Sequence, residues 1–137
     1  MSYIVIGDNI VIDSNEVLKT IEAEFDFKEV KNITKGSNRD DTLIYQVTHD
    51  INPIKEEIES LGETLSEEEL VEELMATTDE YTMYIEDVMP EGLICHGYSY
   101  HYDEGLGEIK SIFVAMDEQV GEKRLIDIVN RILKSVD

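Results

Sequence analysis

The chain contains one cysteine, Cys95, which excludes an internal disulfide framework and any multi-cysteine zinc site. Positive charge is also scarce. Eleven Lys and Arg stand against thirty-two Asp and Glu, a formal charge of −21. Such a surface repels DNA, RNA and anionic membranes, so no direct nucleic-acid binding and no membrane association are expected. No stretch approaches the ~20 apolar residues of a membrane span. The N-terminal MSYIVIGDNIVID has no basic n-region and reaches Asp8 too early for a secretory signal, so the expected compartment is cytoplasmic.

Several chemical signatures are missing as well. Lys35-Gly36-Ser37 lacks the upstream glycine of a phosphate loop and does not open a helix. The calcium-loop pattern is absent, and DEGLGE supplies only three carboxylates around two glycines. Neither HExxH nor Cys-x-x-Cys occurs. No cofactor is expected, and an enzyme is the less favoured class.

What is present is a periodic apolar pattern in 137 residues, enough for one domain spanning 1–137 with a single core. YIVIGDNIVID reads as a hairpin about Gly7-Asp8-Asn9. Asp13 or Ser14 then caps a helix whose apolar stripe is Val17, Leu18, Ile21 and Phe25, with Glu16 at capping-box spacing. A weak strand near Val30 to Ile33 and a stronger one at TLIYQVTH follow the helix. Asn52-Pro53 reads as an N-cap and first helical residue, with Ile54, Ile58 and Leu61 on one face and Gly62 as the stop. Ser66 and Glu69 form a capping box for a helix packing through Leu70, Val71, Leu74 and Met75. Three strands are then expected, YTMYIEDVM, GLICHGYSYHY and EIKSIFVAM, the last two joined by a glycine-containing turn. The helix at 122–136 carries Leu125, Ile128, Val129, Ile132 and Val136 on one face. The expected class is α+β: a mixed or largely antiparallel sheet, about four helices, and the C-terminal helix packed on the sheet.

Two features invite a functional reading. The first is CHGYSYHYDEG at 95–105. Strand alternation places His96, Tyr98, Tyr100 and Tyr102 on one face and Cys95, Ser99, His101 and Asp103 on the other. A histidine beside a carboxylate can be oriented by it or share a metal with it, so His96, His101 and Asp103 are the candidates for a small enzyme or metal-binding domain. The competing reading is a tyrosine-rich structural strand with Cys95 as a small buried hydrophobe, and the missing zinc spacings favour it.

The second feature is charge. Residues 55–80 hold eleven acids and one lysine, a local charge of −10, whereas residues 26–41 are neutral. Glu67, Glu68 and Glu69 occupy a first helical turn, where the helix dipole favours anions. Glu72 and Glu73 have no such reason, and Glu68–Glu72 and Glu69–Glu73 are repulsive i, i+4 pairs. A solvated face is one account of them. The other is a partner surface formed by Glu67, Glu68, Glu69, Glu72, Glu73, Asp79 and Glu80. Its partner would be a basic protein, such as the nucleic-acid site of an enzyme that an inhibitor or immunity protein occupies. A homodimer is also compatible with the sequence.

Overall fold

A computed structural model describes residues 3–6, 10–34, 41–62 and 64–136. Strands β1 (Tyr3–Ile6) and β2 (Ile10–Asp13) pair antiparallel, Tyr3 opposite Asp13. The turn expected at Gly7-Asp8-Asn9 and most of the expected 34–41 loop lie outside the described residues. Asp13 caps helix α1 (Ser14–Glu24), its carboxylate accepting from the Asn15 amide at 2.9 Å. Then follow β3 (Glu29–Asn32), β4 (Leu43–Asp50), α2 (Ile51–Glu59), α3 (Glu67–Met83), a 3-10 turn at Tyr84–Val88, β5 (Leu93–Asp103), β6 (Glu108–Asp117) and α4 (Glu122–Leu133).

The main sheet has the order β3-β4-β6-β5 and every pairing is antiparallel. The two central strands face packed elements on both sides and read as nearly continuous apolar runs, such as Ile112-Phe113-Val114-Ala115-Met116. Their register, Tyr45 opposite Phe113 and Ile44 opposite Val114, sorts them into two cores. Leu43, Tyr45, Val47, Phe113 and Ala115 pack with Ile12, Ile21 and Ile85. Ile44, Ile112, Val114 and Met116 pack with Leu125, Ile128, Val129 and Ile132 of α4. A third cluster joins Ile51, Ile54 and Ile58 of α2 to Leu74 of α3 and Ile109 at the start of β6. The α+β class, the four helices and the packing of the C-terminal helix therefore match the sequence expectation.

Three local expectations are corrected. The segment YTMYIEDVM is not a strand. Helix α3 continues through Met83 because Leu74, Thr78 and Thr82 bury one side at helical spacing. The Thr78 and Thr82 hydroxyls donate to the Leu74 and Thr78 carbonyls, so neither is an unsatisfied group in the core. Helix α2 starts earlier than Asn52-Pro53 suggested: Asp50 is the N-cap, accepting from the Asn52 amide, and Pro53 is the third helical residue. The third correction lies in β5. Ser99 pairs with Ser111 and His101 with Lys110, so Tyr100 is an extra residue, a β-bulge. Strict alternation fails there. Tyr102 joins the face of Cys95, Gly97 and Ser99, while His101 and Asp103 move to the face of His96 and Tyr98.

Gly97 explains why α3 lies so close to β5. A Cβ at this position would stand 2.9 Å from Thr82 Cγ2 and 3.3 Å from the Met83 backbone nitrogen. The same approach covers the edge of the sheet: the Gly97 amide donates to Met83 Sδ at 2.9 Å and the Ser99 amide to Asp79 Oδ1 at 2.5 Å. With these two amides taken by side chains of its own chain, this part of the edge is a poor template for another strand.

The packing of α4 can be tested directly. Ile128 and Ile132 are 1% and 7% exposed, so Ile128→Ala is expected to cost ~2–5 kcal/mol in chemical denaturation. A loss below about half a kcal/mol would show that this face does not carry the core.

Candidate functional site

Two surfaces meet around α3. On its exposed side lie Glu67, Glu68, Glu69, Glu72, Glu73 and Glu80. Glu69 also closes the helix cap, since its carboxylate accepts from the Ser66 amide while the Ser66 hydroxyl accepts from the Glu69 amide. Those bonds to Ser66 hold the Glu69 carboxyl below its ordinary value. Asp79 is half-buried and holds the Ser99 amide, so one of its oxygens serves the fold. Glu68, Glu72, Glu73 and Glu80 have no ion-pair or hydrogen-bond partner among the described residues. The ion pairs found there are Lys19–Glu16, Lys28–Glu108 and Lys31–Glu29, none of them on α3.

The second surface is a cleft of about 250 Å³ on the α2–α3 side of the sheet. Phe25, Asp26 and Phe27 reach it from the link between α1 and β3, and His49 and Asp50 from the end of β4. Pro53 and Ile54 of α2, Tyr81 of α3 and Tyr84 of the 3-10 turn complete it. Its rings are in mutual contact. Phe25 and Phe27 stack at 5.3 Å, Phe27 meets His49 edge-on at 5.1 Å, and Tyr81 and Tyr84 lie 6.0 Å apart. The Tyr81 hydroxyl donates to the Glu57 carboxylate of α2, which pushes the Tyr81 phenol up to about 12.

His49 forms the inner wall and is 4% exposed. Behind it, Nε2 lies 2.9 Å from Ser111 Oγ and 3.2 Å from Thr82 Oγ1, and the two hydroxyls are 2.8 Å apart. A serine next to an imidazole resembles an activated nucleophile, but Ser111 has no exposed surface and is bonded inward to Thr82. The cluster instead fixes α3 to the sheet with buried polar groups that satisfy one another. Ser99, opposite Ser111, has a buried hydroxyl without a partner among the described residues, a small cost carried by the fold.

The 95–103 strand brings together less chemistry than its composition suggests. After the bulge, His96, His101 and Asp103 share a face, but His96 and His101 lie opposite Val114 and Lys110, four strand steps or roughly 13 Å apart. His96 stacks on Tyr98, and Asp103 Oδ1 accepts from the Leu106 amide in the following turn. No three His, Cys, Asp or Glu side chains converge as metal ligands among the described residues. Cys95 packs against the core, and burial, with a smaller contribution from Glu86, pushes its thiol up to about 12. Tyr100 packs on the α4 side, where its hydroxyl accepts from Gln46 Nε2 at 2.6 Å. No helix among the described residues is long and apolar enough to cross a membrane.

The sequence reading missed the cleft, and the misread element explains why. Residues three apart in a strand point to opposite faces, whereas in a helical run they share a side. Reading 81–89 as a strand therefore separated Tyr81 from Tyr84 and hid the aromatic wall. The available signal was Thr78 and Thr82 continuing the spacing of Leu74. Compared with known proteins, the chain matches no protein-family model, no curated protein and no solved structure.

Burial lowers the His49 pKa from 6.5 to about 4, so the native ring is neutral where an unfolded ring takes up a proton. Stability carried by the neutral ring is present above 6.5 and falls as the pH drops from 6.5 toward 4. Relief of carboxylate repulsion acts in the opposite direction over part of that range, so the useful comparison is with His49→Gln. Between pH 7 and pH 5 the wild type should lose about 2 kcal/mol more than this variant in urea unfolding. Equal losses would mean that the ring is not buried in its neutral form.

Proposed function

We propose that this chain is a small acidic interaction protein whose α3 face docks on a basic protein surface. Nucleic-acid sites of enzymes are surfaces of that kind, and inhibitors and immunity proteins that cover them rely on the same electrostatics. The observation that carries the reading is the row Glu68, Glu72, Glu73 and Glu80: exposed, like-charged, and without a compensating cation on its helix. Helix dipole and capping account for Glu67, Glu68 and Glu69 in the first turn but not for Glu72, Glu73 or Glu80. A helix selected for stability alone gains from lysine at i+4 of a glutamate, and α3 contains none. A field of this sign speeds encounter with a basic partner and disfavours nucleic acid as a direct ligand.

The test uses the variant carrying Glu72→Lys and Glu73→Lys. Each new lysine then stands four residues after a glutamate, Glu68 or Glu69, with the acid on the favourable N-terminal side. The Ser66–Glu69 cap is left intact. The isolated variant is expected to be slightly more stable than the wild type. A basic protein captured on the wild-type chain from a lysate of its host should bind the variant at least tenfold more slowly at low ionic strength. The difference should shrink as salt is raised. Unchanged association rate and salt dependence would reduce the α3 face to a solvated surface and remove the basis of the proposal.

A further inference from the structure

The aromatic cleft adjoins the acidic helices, and its chemistry is that of a receptor for an organic cation. Stacked Phe25 and Phe27 and the adjacent pair Tyr81 and Tyr84 all line it, and ring faces attract guanidinium and ammonium groups. Asp26 and Asp50 stand at its rim, both exposed. One Asp50 oxygen, Oδ1, caps α2 by accepting from the Asn52 amide. Glu57 is tied to Tyr81 and adds negative charge beside the tyrosine wall. Lys28 is ion-paired with Glu108 and also feels the Asp50 carboxylate, so its single charge is shared between two acids near the cleft. At about 250 Å³ the cleft is smaller than the ~300–1,000 Å³ typical of small-molecule sites, and it suits one long side chain better than a nucleotide-sized ligand.

We infer that this cleft is an anchor pocket for a single arginine side chain presented by the basic partner. Guanidinium stacks on the phenyl and phenol rings and pairs with the Asp26 and Asp50 carboxylates, a combination of stacking and planar hydrogen bonding that lysine does not provide. The inference rests on the interaction-protein reading and adds a specificity element to it. The acidic face of α3 supplies encounter, and the cleft supplies a discrete contact that outlasts encounter. The inner wall fits the role: His49 is held from behind by Ser111 and Thr82, and its ring is neutral at physiological pH, so it does not repel the guest.

A blocked hexapeptide of alternating arginine and glycine serves as the probe, with its citrulline counterpart as a neutral isostere, in NMR titrations of the full chain. The arginine peptide is expected to shift the ring signals of Phe25, Phe27, Tyr81 and Tyr84 saturably, and the citrulline peptide is not. Tyr84→Ala, at a ring already 51% exposed, should keep the fold and weaken the arginine peptide at least tenfold. Tyr84→Phe should retain most of the affinity, because the ring face and not the hydroxyl makes the contact. Shifts confined to the α3 glutamate amides would overturn the anchor pocket and leave the acidic docking face standing. Equal binding of the citrulline peptide would overturn it too, by making the cleft an apolar slot. No shift at either surface would count against both readings.

Discussion

The close approach of α3 to the edge strand β5 is the contact on which the rest of the molecule depends. It is possible because Gly97 has no side chain where Thr82 and Met83 come down on the strand. From that contact follow the covered sheet edge, through Met83 and Asp79, and the buried triangle of Thr82, Ser111 and His49. The triangle is directional where apolar packing is not. Leu74 against Ile109 and Ile54 would tolerate some sliding, whereas three polar groups at 2.8–3.2 Å fix the rotation of α3 about its axis. Once that rotation is set, Thr78 and Thr82 point inward, Tyr81 turns to the cleft, and Glu68, Glu72 and Glu73 turn to solvent.

Electrostatics then explains an asymmetry in the surface. The glutamates of α3 repel one another along the helix, and no cation among the described residues relieves Glu68, Glu72, Glu73 or Glu80. In contrast, Lys28 and Lys31 on the β3 side are paired with Glu108 and Glu29. These two bases are locally neutralised, whereas the acids of α3 stand unopposed. Self-repulsion of that kind lowers stability, and apolar packing beneath α3, where Leu74 and Ile109 show no exposed surface, acts against it. The proposed basic partner would reverse the sign of this cost by supplying the missing cations.

How much of this could be read from the sequence depended on whether the signal was periodic or positional. The face of α4, the Ser66–Glu69 capping box and the hairpin between β5 and β6 were legible, because each repeats a spacing that physics requires. The C-terminal part of α3 was not. Tyr81-Thr82-Met83-Tyr84 has strand-like composition, and only its tertiary seat on Gly97 selects the helix. The bulge at Tyr100 was equally silent, since one extra residue leaves composition unchanged yet moves Tyr102, His101 and Asp103 to opposite faces. Of the candidate site residues, the α3 glutamates lie exposed as a solvent-facing row, and Asp79 is drawn into the fold. His49, with no motif around it, was the imidazole that mattered most to the architecture, because burial and its two hydroxyl neighbours are properties of the folded chain alone.

On the proposed reading, the cleft and the acidic row, which meet at α3, would divide recognition between them. Long-range attraction guides a basic surface toward α3 but distinguishes poorly among basic surfaces, because screened charge reads sign and density more than shape. Discrimination needs a short-range feature with its own geometry. Tyr81 belongs to α3 and Tyr84 to the turn that directly continues it, so the aromatic wall is placed by the same Thr82–Ser111–His49 contacts that orient the glutamates. A rotation of α3 large enough to spoil the cleft would also turn the acidic row and break the caps on the Gly97 and Ser99 amides. The polar triangle therefore couples two surfaces that differ in range and chemistry. On the proposed reading, the buried histidine would act as a positioning residue, holding both surfaces without touching the partner.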